Sequence, residues 1–152
     1  MDHFENALNG ILVEAYHNIL RLEELTLKKS NRINLSINEM HLLEIVGANN
    51  DTGISISELA DKLGVKPPSV TVAVAKLEKR DFVKKNDCQT DGRVVRVFLT
   101  EQGRKIDAYH KYYHRNMVKA ISEDFTDEEK EYLIRGIEKL NGYFKKSIEG
   151  KK

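Results

Sequence analysis

Ser69, Thr71, Lys76 and Lys79, with Arg93 and Arg96 downstream, are the residues of this chain whose types and spacing most suggest a chemistry. Hydroxyls and cations grouped in this way hold phosphates and meet base edges. At 100° per residue, Pro68, Thr71, Val72, Ala75, Lys76 and Lys79 fall on one side of a helix, and Val70, Ala73, Val74 and Leu77 on the other. The first side contains no acid, so it can approach a polyanion closely. Val72 has no hydrogen bond to give, and a thymine methyl is the base group that suits it, which tilts a target duplex towards A·T. Between Lys66 and Lys105 ten basic residues stand against five acidic ones, although the whole chain has a formal net charge of only +1. The positive charge is concentrated where a phosphate backbone would lie.

These residues need a scaffold, and the segment Ile54 to Thr100 supplies one. Ser55 and Glu58 have the spacing of a capping box, so a helix begins near Ile56. Leu59, Ala60 and Leu63 form its apolar face, and Gly64 suits the left-handed residue that ends it. Pro67 then opens a second helix, reaching about Arg80, because its missing N–H costs nothing in a first turn. Phe82 to Lys85 and Val94 to Leu99 are rich in β-branched and aromatic residues, with the polar stretch Asn86 to Gly92 between them. They predict a hairpin with Arg93 at its tip. Two helices followed by such a hairpin make a winged helix-turn-helix, in which the second helix reads the major groove and Arg93 enters the minor groove.

The flanking segments are helical. From Phe4 to Lys29 the apolar residues make a stripe wider than one packing surface needs, which suggests a helix shared between its own domain and a symmetry-related partner. Ser36 with Glu39 and Thr126 with Glu129 are two further capping boxes. The first starts a helix carrying Ile37, Met40, Leu43, Ile45 and Val46 that ends near Gly47, and the second starts a helix carrying Leu133, Ile137, Leu140, Phe144 and Ile148. Thr100 is a natural cap for the intervening helix.

A length of 152 residues suits one domain, and 40% hydrophobic with 32% charged residues describes a globular chain with helical surfaces. A single cysteine, Cys88, forms no internal disulfide, and no run approaches a membrane span, so the expected compartment is the cytoplasm. Cys88 falls in the expected hairpin tip, where Lys84 and Lys85 would favour its thiolate. His110 and His114, four apart, are spaced to share a metal, but no cysteine stands at a matching spacing beside them. Lys111 and Arg115 interleave with them, and Lys111, His114 and Arg115 form a cationic strip suited to an acidic partner. No metal, cofactor or catalytic residue is expected. There is no phosphate loop, no His-Glu-x-x-His sequence and no supported Ser/His/Asp order.

The turn Leu-Gly-Val-Lys-Pro (63–67), the helix sequences Ser-Val-Thr-Val-Ala-Val (69–74) and Lys-Leu-Glu-Lys-Arg (76–80), and the wing pattern Asp91-Gly92-Arg93 followed by Leu99-Thr100 and Gly103 together resemble the MarR family of bacterial transcriptional regulators. Three positions depart from its usual pattern: Lys66 replaces a capping serine, Val72 an arginine or polar residue, and Asp81 a helix-ending glycine. The first two helices and the pair His110 and His114 look like the fatty-acid-synthesis repressor subgroup of Gram-positive bacteria. The resemblance implies a mainly α fold with a small β-wing. It also implies a homodimer that joins through segments 4–35 and 101–149, with 36–100 as the winged unit of a single domain. It implies DNA contact by Ser69, Thr71, Val72, Lys76, Lys79, Arg93 and Arg96, with Asp91 orienting the wing by pairing Arg93. A long-chain acyl group on acyl carrier protein is the implied corepressor. Its chain would lie among Leu12, Tyr16, Ile19, Met40, Leu43, Tyr109 and Tyr113, and the carrier would meet Lys111, His114 and Arg115. Core packing is an equal reading for the apolar set. Relief by a small aromatic ligand, oxidation or a metal is an alternative mode of control.

Overall fold

In the computed structural model, residues 2–29, 34–87 and 95–150 are described. The element order is α1 (His3–Lys29), α2 (Ile37–Ala48), β1 (Ile54–Ser55), α3 (Ile56–Leu63), α4 (Pro67–Lys79), β2 (Val83–Asp87), β3 (Val95–Leu99), α5 (Glu101–Glu123) and α6 (Asp127–Glu149). The expected mainly α fold with a small wing is present.

All three capping boxes form. Ser36, Ser55 and Thr126 each accept from the backbone N–H three residues on, and Glu39, Glu58 and Glu129 each accept in return from the cap N–H. Gly64 ends α3 in the left-handed region at φ 66°, with Pro67 in the first turn of α4. Lys66 precedes α4 with no side-chain cap, as its replacement of a serine would suggest. Asp81, where a glycine is usual, adopts φ 59° all the same. The turn therefore imposes a left-handed conformation that an L side chain takes at some cost.

The three strands pair in the order β1-β3-β2, antiparallel throughout. Ile54 stands opposite Val97 and Ser55 opposite Arg96, while Val83 to Asp87 pair with Leu99 to Val95. β2 runs on through Asn86 and Asp87, which the sequence suggested were already part of the hairpin connection. β1 was not expected. Two residues give no alternation to read, and they are extended only because β3 lies alongside.

The chain divides into two compact units, Met1–Asp107 and Ala108–Lys152, with the boundary inside α5. The first has a closed core in which Met40, Leu43 and Val46 of α2, Leu59 of α3, Val70, Val74 and Leu77 of α4, and Val83, Val97 and Leu99 of the sheet are buried together. In the second unit no residue of α6 is buried. Tyr132, Leu133, Ile134, Ile137, Tyr143, Phe144 and Ile148 are all exposed, and in the first unit Phe4, Ile11, Val13, Tyr16, Ile19, Leu22 and Leu25 of α1 are exposed as well. No described helix is long and apolar enough to cross a membrane.

Candidate nucleic-acid interface

Helix α4 has the two faces its sequence suggests. Val70, Val74 and Leu77 are buried and Ala73 is partly buried, while Pro68, Ser69, Thr71, Val72, Lys76 and Lys79 are exposed and Ala75 is partly so. Val72 is 70% exposed, so its methyl groups are available to an apolar group that approaches the helix. The only acid in the helix, Glu78, is tied by an ion pair of 2.8 Å to Lys85 of β2. The outward face is therefore uncharged or positive along its length.

The individual side chains are not equally available. Lys79 has no ion pair among the described residues. Lys76, expected to hold a phosphate, instead lies with Nζ 2.7 Å from Oε1 of the buried Glu39, an ion pair without the alignment of a good hydrogen bond. Arg80 Nη1 approaches the other oxygen of the same carboxylate at 3.7 Å, and its guanidinium stacks 4.9 Å above the Phe82 ring. Burial raises the Glu39 pKa, but the ammonium of Lys76 held against the carboxylate and the hydrogen bonds from Ser36 outweigh it and hold the carboxyl below its ordinary value. Thr71 donates its hydroxyl proton to the Pro67 carbonyl at 3.1 Å, so towards a ligand it presents lone pairs rather than a donor.

Arg96 is placed differently from its expected role. Pairing of β1 with β3 sets it beside Ser55, and its Nη1 donates to the Gly53 carbonyl at 2.9 Å and lies 3.7 Å from Glu58 Oε2. In this state the guanidinium braces the sheet against the start of α3 and does not reach outward. Hydrogen bonds from the Ser55 backbone and hydroxyl, with the nearby Arg96 charge, hold Glu58 below the ordinary carboxylate range. Asp91, Arg93 and Cys88 lie outside the described residues.

The remaining candidates separate by unit. Met40 and Leu43 are 1% and 0% exposed within the winged core, so core packing accounts for them and they offer no surface to a ligand in this state. Leu12 is partly buried, and Tyr16 and Ile19 are exposed along α1. In the second unit Tyr109 is exposed, and Tyr113 packs with His110 and His114, whose rings meet edge to face with centroids 4.4 Å apart. The spacing of four does bring the two imidazoles together, as two ligands of one cation would need. Lys111 and Arg115 are exposed on the same helix, while His114 is partly buried in the aromatic cluster.

A family model described as MarR family matches residues 35–95, which span α2 to the start of β3. The transcriptional regulator ZitR of Lactococcus lactis subsp. cremoris (strain MG1363) is 27% identical over 118 residues, covering 76% of this chain and 79% of that protein. An uncharacterized HTH-type transcriptional regulator of Bacillus subtilis (strain 168), YfiV, is 30% identical over 112 residues, 72% of this chain and 68% of its own length. The crystal structure of Streptococcus pneumoniae FabT in complex with DNA matches with a TM-score of 0.87 at 27% identity, over 93% of this chain and 98% of that one.

Proposed function

The chain belongs to the MarR family of transcriptional regulators, and from that premise we propose that it binds a short pseudo-palindromic, A·T-rich duplex as a cytoplasmic homodimer. Segments 4–35 and 101–149 join the protomers of one MarR-type domain, and each winged unit, 36–100, takes one half-site. The observation that carries this reading is the outward face of α4, exposed and free of uncompensated acid. Ser69 and Val72 meet bases or the nearby backbone, Thr71 accepts from a base donor through its free lone pairs, Lys79 holds a phosphate, and Arg93 reaches the minor groove, oriented by Asp91. That the similar FabT structure holds DNA supports the same assignment.

Lys79→Ala tests it. Two lysines leave the dimer, so the slope of log affinity against log salt should flatten by about 1.8, and affinity should fall by roughly tenfold on all duplexes alike. Unchanged affinity and slope would remove α4 as the DNA-facing helix.

The regulated genes we propose are those of fatty-acid synthesis, repressed with a long-chain acyl group on acyl carrier protein as corepressor. The resemblance of the first two helices and of His110 and His114 to that subgroup supports this, as do the exposed Lys111 and Arg115, which suit an acidic carrier. Of the chain's candidate lining, Leu12, Tyr16, Ile19, Tyr109 and Tyr113 are the members not committed to the winged core. A corepressor binds the DNA-competent state more tightly, so long-chain acyl carrier protein should tighten operator binding by about 5- to 150-fold. Unacylated carrier should do much less, and Lys111→Glu with Arg115→Glu should reduce the enhancement. Indifference of operator affinity to every acyl length would defeat the lipid assignment and leave the DNA reading standing.

A further inference from the structure

Lys76 and Lys79 sit one turn apart on the same exposed face of α4, yet they differ in one respect. Lys79 has no ion pair among the described residues, whereas Lys76 is drawn back onto Glu39, whose side chain is only 9% exposed. Glu39 is anchored independently of that lysine. It is the third residue of α2, and its Oε2 accepts from the Ser36 N–H at 2.9 Å while the Ser36 hydroxyl accepts from the Glu39 N–H. The carboxylate is thus fixed to the first turn of α2, and Glu39 lines a cleft of about 430 Å3 together with Asn34, Leu35, Ser36, Lys76 and Arg80. A buried acid fixed in this way favours keeping its counter-ions, because losing one leaves charge uncompensated in a poorly solvated site.

We infer that Glu39 is a positioning residue for DNA binding: it clamps Lys76 to α2 and so withholds that lysine from the phosphate backbone, leaving Lys79 to make the contact. The inference rests on the DNA-binding reading above. Its consequence is that the chain carries a latent phosphate contact, silenced from a helix outside the helix-turn-helix. Lys76 leaves for a phosphate only by abandoning the carboxylate, with Arg80 at 3.7 Å as the sole remaining cation among the described residues. The clamp lowers sequence-independent affinity, which comes almost entirely from such contacts.

The test is a salt titration of wild type, Lys76→Ala, Glu39→Gln and the double variant on a duplex of random sequence. Glutamine at this position preserves the capping box and removes only the charge, and a thermal melt verifies that the variant is folded. Lys76→Ala alone should leave the salt slope of wild type unchanged. Glu39→Gln should steepen it by about 1.8 for the two protomers and tighten binding at low salt several-fold. The double variant should lose that increment. A Glu39→Gln slope equal to wild type, or a Lys76→Ala slope flattened in wild-type background as expected for Lys79→Ala, overturns the inference. Lys76→Ala, at an exposed position, can still overturn the inference if Glu39→Gln does not fold, because a flattened slope would show Lys76 already on phosphate. Absence of any salt-dependent binding by wild type would instead defeat the DNA reading itself.

Discussion

On the proposed homodimer, Phe144→Glu is expected to give a monomer at micromolar concentration and to weaken operator binding by about 100-fold or more, while the winged core still melts cooperatively. Phe144 is 47% exposed on a helix with no buried residue, and Leu133, Ile137 and Ile148 are exposed on the same helix. Apolar faces of this extent on α1 and α6 need a cover. A carboxylate placed in such an interface costs several kcal/mol when unpaired, and 3 kcal/mol is already a factor of about 100. Loss of the dimer also removes the linkage that makes the second half-site contact intramolecular. Because α6 contributes nothing to the core of the winged unit, folding and association separate cleanly. Sedimentation of both forms and a melt of the variant check this. A wild type that sediments as a monomer, or a variant that stays dimeric with undiminished affinity, contradicts it.

Gly103→Ala is expected to cost about 3 kcal/mol of stability, through overpacking against main chain. A methyl group on Gly103 would overlap the Phe82 carbonyl oxygen and press on the Leu99 side chain 3.3 Å away. That carbonyl already accepts from the Thr100 N–H at 3.1 Å, and the Gly103 N–H donates to the Thr100 hydroxyl at 3.0 Å. The first turn of α5 is thus pressed onto the start of β2 by backbone at both ends, and neither side yields by a rotamer change. A drop in Tm of about 10 °C follows for a chain of this size. A melt within a degree or two of wild type would mean that the close approach does not exist in solution.

Local rules carried much of this fold. Ser36, Ser55 and Thr126 with their glutamates, Gly64 after α3 and Pro67 at the head of α4 are each decided within four residues, and each is realised as its sequence suggests. The two faces of α4 were equally plain, since period and burial agree. What could not be read depends on partners distant in sequence. Capping explains the glutamate at position 39, but nothing local reveals that Lys76 and Arg80 converge on it from another helix. Arg96 is a wing cation by its sequence neighbours alone, and only the pairing of β1 with β3 sets it opposite Ser55. For Met40 and Leu43 the sequence leaves acyl lining and core packing equally open, and only the packing of α2 with α3, α4 and the sheet makes them core. Thr71 is a different case: the partner of its hydroxyl is one turn back in its own helix, a local alternative to an outside ligand that the residue type leaves open.

The most direct test of the account is selection of duplexes bound by the wild-type protein from a random-sequence pool, followed by sequencing. A homodimer reading DNA through two copies of α4 should enrich an inverted repeat whose half-site centres lie about one helical turn, or 10 base pairs, apart. Val72 should add A·T pairs within each half. Enrichment of single or directly repeated sites, or no enrichment over the input pool, would contradict the account.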